Sequence, residues 1–195
     1  EKKTGRIRLG MVGGGQGAFI GAVHRLAARM DYHYEFVAGA LSSDAARSKA
    51  SGEELGLAPD RIYGDFREMA KAEAKRADGI EAVSIVTPNH MHFPAAKAFI
   101  EAGIHVVCDK PLSLNLKEAL ALEKLLAKNK HVIFALTHNY SGYPMIRQIR
   151  EMVQSGVLGK VRLVQGEYPQ DWLTTALEKT GQKQAAWRTD PKRSG

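Results

Sequence analysis

Four glycines within five residues, Gly13-Gly14-Gly15-Gln16-Gly17, follow the apolar run Ile7–Val12 directly and lead into a segment of helical composition. No other part of the chain constrains its fold as much. A strand that becomes a helix with almost no linker needs residues without a Cβ at the turn, and Gly13, Gly15 and Ala18 fit the spacing G-x-G-x-x-(G/A). In that spacing Gly13 permits the tight turn, Gly15 lets backbone approach a bound group, and a small residue at Ala18 lets the helix pack on the sheet. Gln16 and Gly17 complete the loop. The helix behind it offers free N–H groups and the positive end of its dipole to an anion. No Gly-Lys-Ser/Thr follows the glycines, so this is not the P-loop of nucleoside-triphosphate enzymes.

The rest of the chain repeats the strand-to-helix alternation. Short apolar, β-branched runs predict strands at Ile7–Val12, Glu35–Leu41, Ala82–Val86, His105–Cys108 and His131–Leu136, with Arg61–Tyr63 as a short extra piece. Their near-continuous apolarity marks strands buried on both faces. Between them, Gly17–Met30, Ala45–Leu55, Phe66–Arg76, His92–Ala102 and Leu116–Lys128 have helical composition. Asp44, Asp65 and Asn115 stand where helix N-caps belong, and Gly56 and Gly103 where helices should stop. The pattern predicts an α/β fold, a Rossmann-type doubly wound parallel sheet whose glycine loop holds the pyrophosphate of a dinucleotide.

After Leu136 the pattern changes. Thr137–Tyr143 is polar and aromatic, Pro144–Ser155 looks helical and is ended by Gly156, and Val161–Glu167 alternates as a strand does. Tyr168–Gly195 is rich in Gln, Thr, Lys and Gly and carries too little apolar residue for a core. One helix and one strand do not make a domain of usual size. Residues 1–136 are therefore expected to form the dinucleotide-binding domain, and 137–195 the incomplete start of a second.

Composition excludes several classes. With 44% hydrophobic and 25% charged residues over 195 positions, the chain is neither disordered nor fibrous. No apolar run reaches the roughly 18 residues that cross a bilayer, and no signal-peptide region opens the sequence. A cytoplasmic protein is expected. The net charge of +7 comes from scattered basic residues rather than a basic stripe with interleaved aromatics, so no nucleic-acid partner is expected. The single cysteine, Cys108, ends an apolar run and reads as an inert core thiol. His90, His92 and His138 lack a carboxylate partner at matched spacing, so no metal site is expected.

The strand ends carry the chemistry, because ligands of open parallel sheets bind outside the carboxyl ends of the strands. The second strand ends in Ser42-Ser43-Asp44, with Arg47 one helical turn on. An acid here favours NAD, whereas Ser42, Ser43 and Arg47 suit the 2′-phosphate of NADP; Asp44 also has ordinary work as an N-cap, and the choice stays open. Ala82–Val86 ends in Thr87-Pro88-Asn89-His90-Met91-His92, whose polar groups either face the ligand or begin a helix. His105–Cys108 ends in Asp109-Lys110-Pro111. Lys110 is aimed at the cofactor rim, where burial and the charge of oxidised nicotinamide would suit it for proton transfer.

These segments, Val12-Gly13-Gly14-Gly15, Thr87 to His92 and Asp109-Lys110-Pro111 in that order, resemble the glucose–fructose oxidoreductase, inositol dehydrogenase and rhizopine-catabolism group, the Gfo/Idh/MocA family. The likeness covers residues 6 to about 168. It implies a second α/β domain with a large, open, mostly antiparallel sheet that covers the nicotinamide and completes the substrate site. It also implies NAD(P)-dependent oxidation or reduction of a sugar- or polyol-like substrate; association into a homo-oligomer is expected separately, because an incomplete second domain leaves an open sheet edge and an apolar face. By this resemblance Lys110 is the catalytic-region lysine and Pro111 its proline, Thr87, Pro88, Asn89 and His92 line the cofactor, and His92 joins Lys110 in the expected catalytic set. Asp109 stands where the family usually has Glu. The family's later Gly-Asp…His element has no counterpart before Gly195, and Gln170-Asp171-Trp172 and Trp187-Arg188 either line the substrate side or pack as aromatics. Two other uses of such a site are elimination or glycoside cleavage with no net redox change, and dinucleotide sensing without turnover.

Overall fold

The structure, a computed structural model, describes residues 5–172 and 174–194. The first part alternates strand and helix: β1 (Ile7–Gly13), α1 (Phe19–Met30), β2 (Tyr34–Ala40), α2 (Ala45–Glu54), α3 (Phe66–Glu73), β3 (Ala82–Val86), α4 (His92–Glu101), β4 (His105–Asp109), α5 (Leu116–Lys128) and β5 (Phe134–Thr137). The five strands form one sheet in the order β2-β1-β3-β4-β5, and every neighbouring pair is parallel.

Alternation along the strands sets the layers. Val12, Ala38, Val83, Ile85, Val106 and Cys108 point to one face and pack against Phe66 and Met69 of α3, Phe99 and Ile100 of α4 and Leu122 of α5. The other face is thinner: Met11, Leu41 and Val86 meet Leu57 and half-buried Ile20, Phe36, Leu55 and Ile62. All of β3 is buried, as its apolarity predicts, whereas β5 is an edge strand with Ala135 and Leu136 exposed. Burial, and secondarily the charge of Asp109, pushes the Cys108 thiol up to about 12, so this cysteine is an inert core group at neutral pH.

The helix ends follow local chemistry. Asp44, Asp65 and Asn115 each accept backbone N–H bonds as N-caps, a contribution of about 1 kcal/mol apiece. Gly56 and Gly103 follow their helices at φ +72° and +77°. Three expectations are corrected. The first helix begins at Phe19 rather than Gly17, because Gly17 has φ +75° and Ala18 is extended. Arg61–Tyr63 yields a 3-10 turn at Pro59–Arg61 and a single parallel bridge between Ile62 and Gly39. The fifth strand starts at Phe134, since the Val132 amide is drawn into a turn on Asn129 O.

The chain divides into two compact units, the second running from His138 to Pro191 while the residues from Lys192 onward group with the first. The second holds α6 (Pro144–Gln154), α7 (Lys183–Arg188) and a cluster in which Tyr140 and Tyr168 share a hydroxyl hydrogen bond of 2.8 Å. A short α8 (Pro191–Ser194) follows. Val161–Glu167, expected as a strand, has no regular structure: Leu163 and Val164 are each 82% exposed, and a strand without a partner has nothing to satisfy its backbone. Among the described residues of this unit there is no strand, so the expected antiparallel sheet is not seen here.

Candidate functional site

Strand β1 lies between β2 and β3, so successive crossovers leave it in opposite directions and open a crevice at its carboxyl end. This is the switch point at which doubly wound sheets bind ligands. Gly13 pairs with Val86 across the crevice, and Gly13 and Gly14 take φ +81° and +74°, values that side chains disfavour. The loop is anchored from below. The Gly15 amide donates to Leu41 O (3.1 Å), the Gln16 amide to Ser51 Oγ (3.0 Å), and Gln16 Nε2 to Glu54 Oε2 (2.8 Å). A Cβ on Gly15 would stand 2.6 Å from Ser51 Oγ and 2.8 Å from Leu41 O, so this glycine is required by its approach to the end of β2.

Ala18 does not perform the packing expected of it. It is exposed at the N-cap of α1, and the close approach of helix to loop falls one turn later, where Gly21 is buried against Gly14. A Cβ on Gly21 would lie 2.4 Å from Gly14 Cα and 2.6 Å from Gly14 O. Gly21→Ala is therefore expected to force α1 away from the loop, costing about 1–3 kcal/mol in urea unfolding and weakening dinucleotide binding in calorimetry. Unchanged values of both would show that the contact is slack. From the same helix Arg25 Nη1 donates to Gly14 O at 2.8 Å, and burial, then the neighbouring Arg29, lowers its pKa. The sequence reading missed Gly21 and Arg25, although a second glycine four residues after Gly17 was a readable sign of close packing.

At the tip of β2, Ser42 Oγ accepts from the Asp44 amide (3.1 Å) and Asp44 Oδ1 from the Arg47 amide (2.8 Å). Asp44 thus performs its capping role, and Ser43 and Arg47 are exposed beside it. Two buried serines one turn apart, unforeseen from sequence, organise this end: Ser48 Oγ takes the Leu41 amide and donates to Tyr63 O, and Ser51 Oγ donates to Arg47 O.

The loops after β3 and β4 are joined by His92. This ring is 1% exposed, with Nδ1 2.6 Å from Pro111 O and Nε2 2.9 Å from Thr87 O. With both nitrogens on backbone carbonyls, it braces the two loops. Asn89 Nδ2 donates to Ser194 O at 2.8 Å. Thr87 Oγ1 and His90 Nδ1 are buried and find no hydrogen-bond partner among the described residues. Lys110 and Pro111 are exposed and joined by a cis peptide. The burial expected around Lys110 is thus not supplied by the described residues. Asp109 is tied down instead: Thr137 Oγ1 donates to its Oδ1 at 2.9 Å. Burial pushes its carboxyl pKa up, but the neighbouring His24 ring, the hydrogen bond from Thr137 and the nearby Lys110 amide outweigh this and hold it below the usual carboxylate range.

These residues suit a dinucleotide. The turn at Gly13 and Gly14, the N-terminus of α1 and the unpartnered Thr87 hydroxyl converge, with a Cβ on Gly13 meeting Thr87 Cγ2 at 3.1 Å. Among the described residues, no group of three His, Cys, Asp or Glu side chains could hold a metal, and no helix is long and apolar enough to cross a membrane.

Comparison with known proteins agrees with this geometry. Residues 7–150 match the model of the oxidoreductase family with an NAD-binding Rossmann fold, and residues 146–195 match the GFO/IDH/MocA C-terminal domain. The uncharacterized oxidoreductase YfiI of Bacillus subtilis is 40% identical over 97% of this chain and 48% of its own length. An oxidoreductase from Sinorhizobium meliloti, known as a crystal structure, is 64% identical with a TM-score of 0.82, over 87% of this chain and 47% of that one. An inositol dehydrogenase homolog from Azotobacter vinelandii, crystallised with NAD+, is 38% identical with a TM-score of 0.93, over 100% of this chain and 50% of that one. The chain spans about half the length of the curated relatives it matches. Fold, glycine loop, rim loops and family match agree, and the chain belongs to the Gfo/Idh/MocA family of oxidoreductases.

Proposed function

We propose that this chain serves an NAD-dependent oxidoreductase that moves a hydride between nicotinamide and a hydroxyl or carbonyl carbon of a sugar- or polyol-like substrate. The observation that carries the reading is convergence: the glycine loop, the Thr87 loop and the Asp109-Lys110-Pro111 turn all lie at the carboxyl ends of adjacent strands. The family match and the inositol dehydrogenase homolog with NAD+ supply the chemical class.

Gly13, Gly15, Gln16, Gly17 and Ala18, with the first amides of α1, would hold the pyrophosphate. Ser42, Ser43, Asp44 and Arg47 would face the adenosine ribose, where the acid favours NAD. Thr87, Pro88 and Asn89 would border the nicotinamide, with His92 as a positioning residue that braces them against Pro111. A nicotinamide bound here would supply the hydride chemistry, to which the protein would contribute orientation and the proton. Lys110 would hydrogen-bond the reacting oxygen and exchange a proton with it. The second domain, taken to start at residue 137, would complete the substrate side. We place the protein in the cytoplasm and read it as a homo-oligomer; the exposed apolar stripe Phe19, Val23, Leu26 and Met30 on α1 favours the association.

Calorimetric titration with NAD+, NADH, NADP+ and NADPH, beside a Gly15→Leu variant, tests the site. Saturable binding with preference for the NAD forms, lost in the variant, is expected. A folded chain that binds none of the four would end the proposal, and a preference for the NADP forms would hand the ribose site to Ser42, Ser43 and Arg47.

A further inference from the structure

His24 belongs to the helix behind the glycine loop, yet its ring reaches two strands beyond it. Nδ1 lies 2.8 Å from Ser84 Oγ on β3, and Nε2 lies 3.8 Å from Asp109 Oδ1 at the end of β4. The site is enclosed: Ser84 is 2% exposed, and the His24 and Asp109 side chains are 12% and 17% exposed. Thr137 on β5 donates to the same carboxylate oxygen. The side chains facing the Asp109 carboxylate are thus His24 from α1 and Thr137 from β5. Holding the carboxylate between His24 and Thr137 fixes the side chain of the residue directly before Lys110.

We propose that His24 is a positioning residue for Lys110, acting through the Asp109 carboxylate. This rests on the reading of Lys110 given above. It links the helix that would meet the pyrophosphate with the turn that would meet the reacting oxygen, through one side chain at each step. A histidine that merely filled space between α1 and β3 would need only its contact with Ser84. The link to Asp109 is the part with a chemical consequence.

Side-chain length separates the two contacts, because a glutamine amide nitrogen stands near the place of Nε2 and an asparagine amide nitrogen near that of Nδ1. In the whole native polypeptide, the carbon-13 resonance of the Asp109 carboxyl and the amide resonance of Lys110 are followed from pH 3 to 8. His24→Ala is expected to raise the Asp109 midpoint and to move the Lys110 amide. His24→Gln should return both toward the wild-type values, and His24→Asn should not. Turnover of myo-inositol with NAD+ forms the second arm. There His24→Ala should lower kcat about tenfold or more while the KM for NAD+ stays within about twofold, and should cost nothing further in a Lys110→Ala background.

An Asp109 midpoint unmoved by His24→Ala, rescue by Asn rather than Gln, or losses that multiply in the double variant would each overturn the proposal. Should His24→Ala fail to fold, the Gln and Asn variants decide it. The resonance arm needs no substrate, so failure of the hydride-transfer reading, seen as a Lys110→Ala variant that keeps its kcat, is distinguishable from failure of the His24 link.

Discussion

Lys110→Ala is expected to lower turnover by about 100-fold or more while leaving dinucleotide affinity within about twofold, because positioned proton transfer is worth about 10²–10⁴ in rate. The side chain is exposed at the rim, outside the loop that would hold the phosphates, so its removal leaves the binding contacts intact. A companion variant separates proton transfer from simple attraction. Lys110→Arg keeps the positive charge and a donor, but its guanidinium does not give up a proton in the working pH range. Arginine should therefore remain nearly as slow as alanine if the lysine moves a proton. Steady-state kcat and calorimetric Kd, measured on the same preparations, check this. Comparable losses in both quantities would remove the catalytic role and leave Lys110 as a binding residue.

The second large effect is structural. Glu73 on α3 is 1% exposed, and its carboxylate accepts from Arg61 Nε (3.2 Å) and Nη2, from Tyr63 OH (2.7 Å) and from the Ile80 amide (3.0 Å). Arg61 is itself 7% exposed, and its further neighbour, Asp78, is 3.7 Å away with a side chain 63% exposed. Glu73→Ala leaves a buried guanidinium without its main counter-charge and strands the Tyr63 hydroxyl and the Ile80 amide. Breaking a pair of this kind costs about 3–5 kcal/mol, a loss that urea unfolding at pH 7 should register. A cost below about 1 kcal/mol would mean that water reaches the pair. The same cluster has an alkaline limit. Burial, then the hydrogen bond to Glu73 and its charge, raises the Tyr63 phenol above its ordinary value. Its contribution is complete below pH of about 10 and is lost as the pH rises beyond that. Tyr63→Phe should flatten the decline.

The strands and caps were legible because each depends on residues close together in sequence. Ala82–Val86 is legible to the residue, since an apolar run broken only by Ser84, between two helices, has one place in such a sheet. Asp44, Asp65 and Asn115 were readable as caps because a short polar side chain reaches the amide two or three residues on. Distance in sequence hid the rest. The alternation of Val161–Glu167 says nothing of whether a neighbouring strand exists to pair with it. Ala18 matched a motif position, but which small residue meets the loop is decided by the angle at which α1 leaves it, and that angle selects Gly21. His24, 60 residues from Ser84, carries no local mark of its contacts. Lys110 was placed correctly at a strand end, whereas its exposure depends on what surrounds the turn and has no local signature.

Ser51 Oγ accepts from the Gln16 amide and donates to Arg47 O, while the Arg47 amide donates to Asp44. The glycine loop and the tip of β2 are therefore not separate modules. An engineer who rebuilds the tip of β2 to exchange one nicotinamide cofactor for the other, by changing Asp44 or Arg47, also alters the start of the helix from which Ser51 supports the glycine loop. Cofactor swaps in this scaffold should carry a general loss of affinity for both dinucleotides, and compensating changes are best sought at position 51 rather than around the ribose.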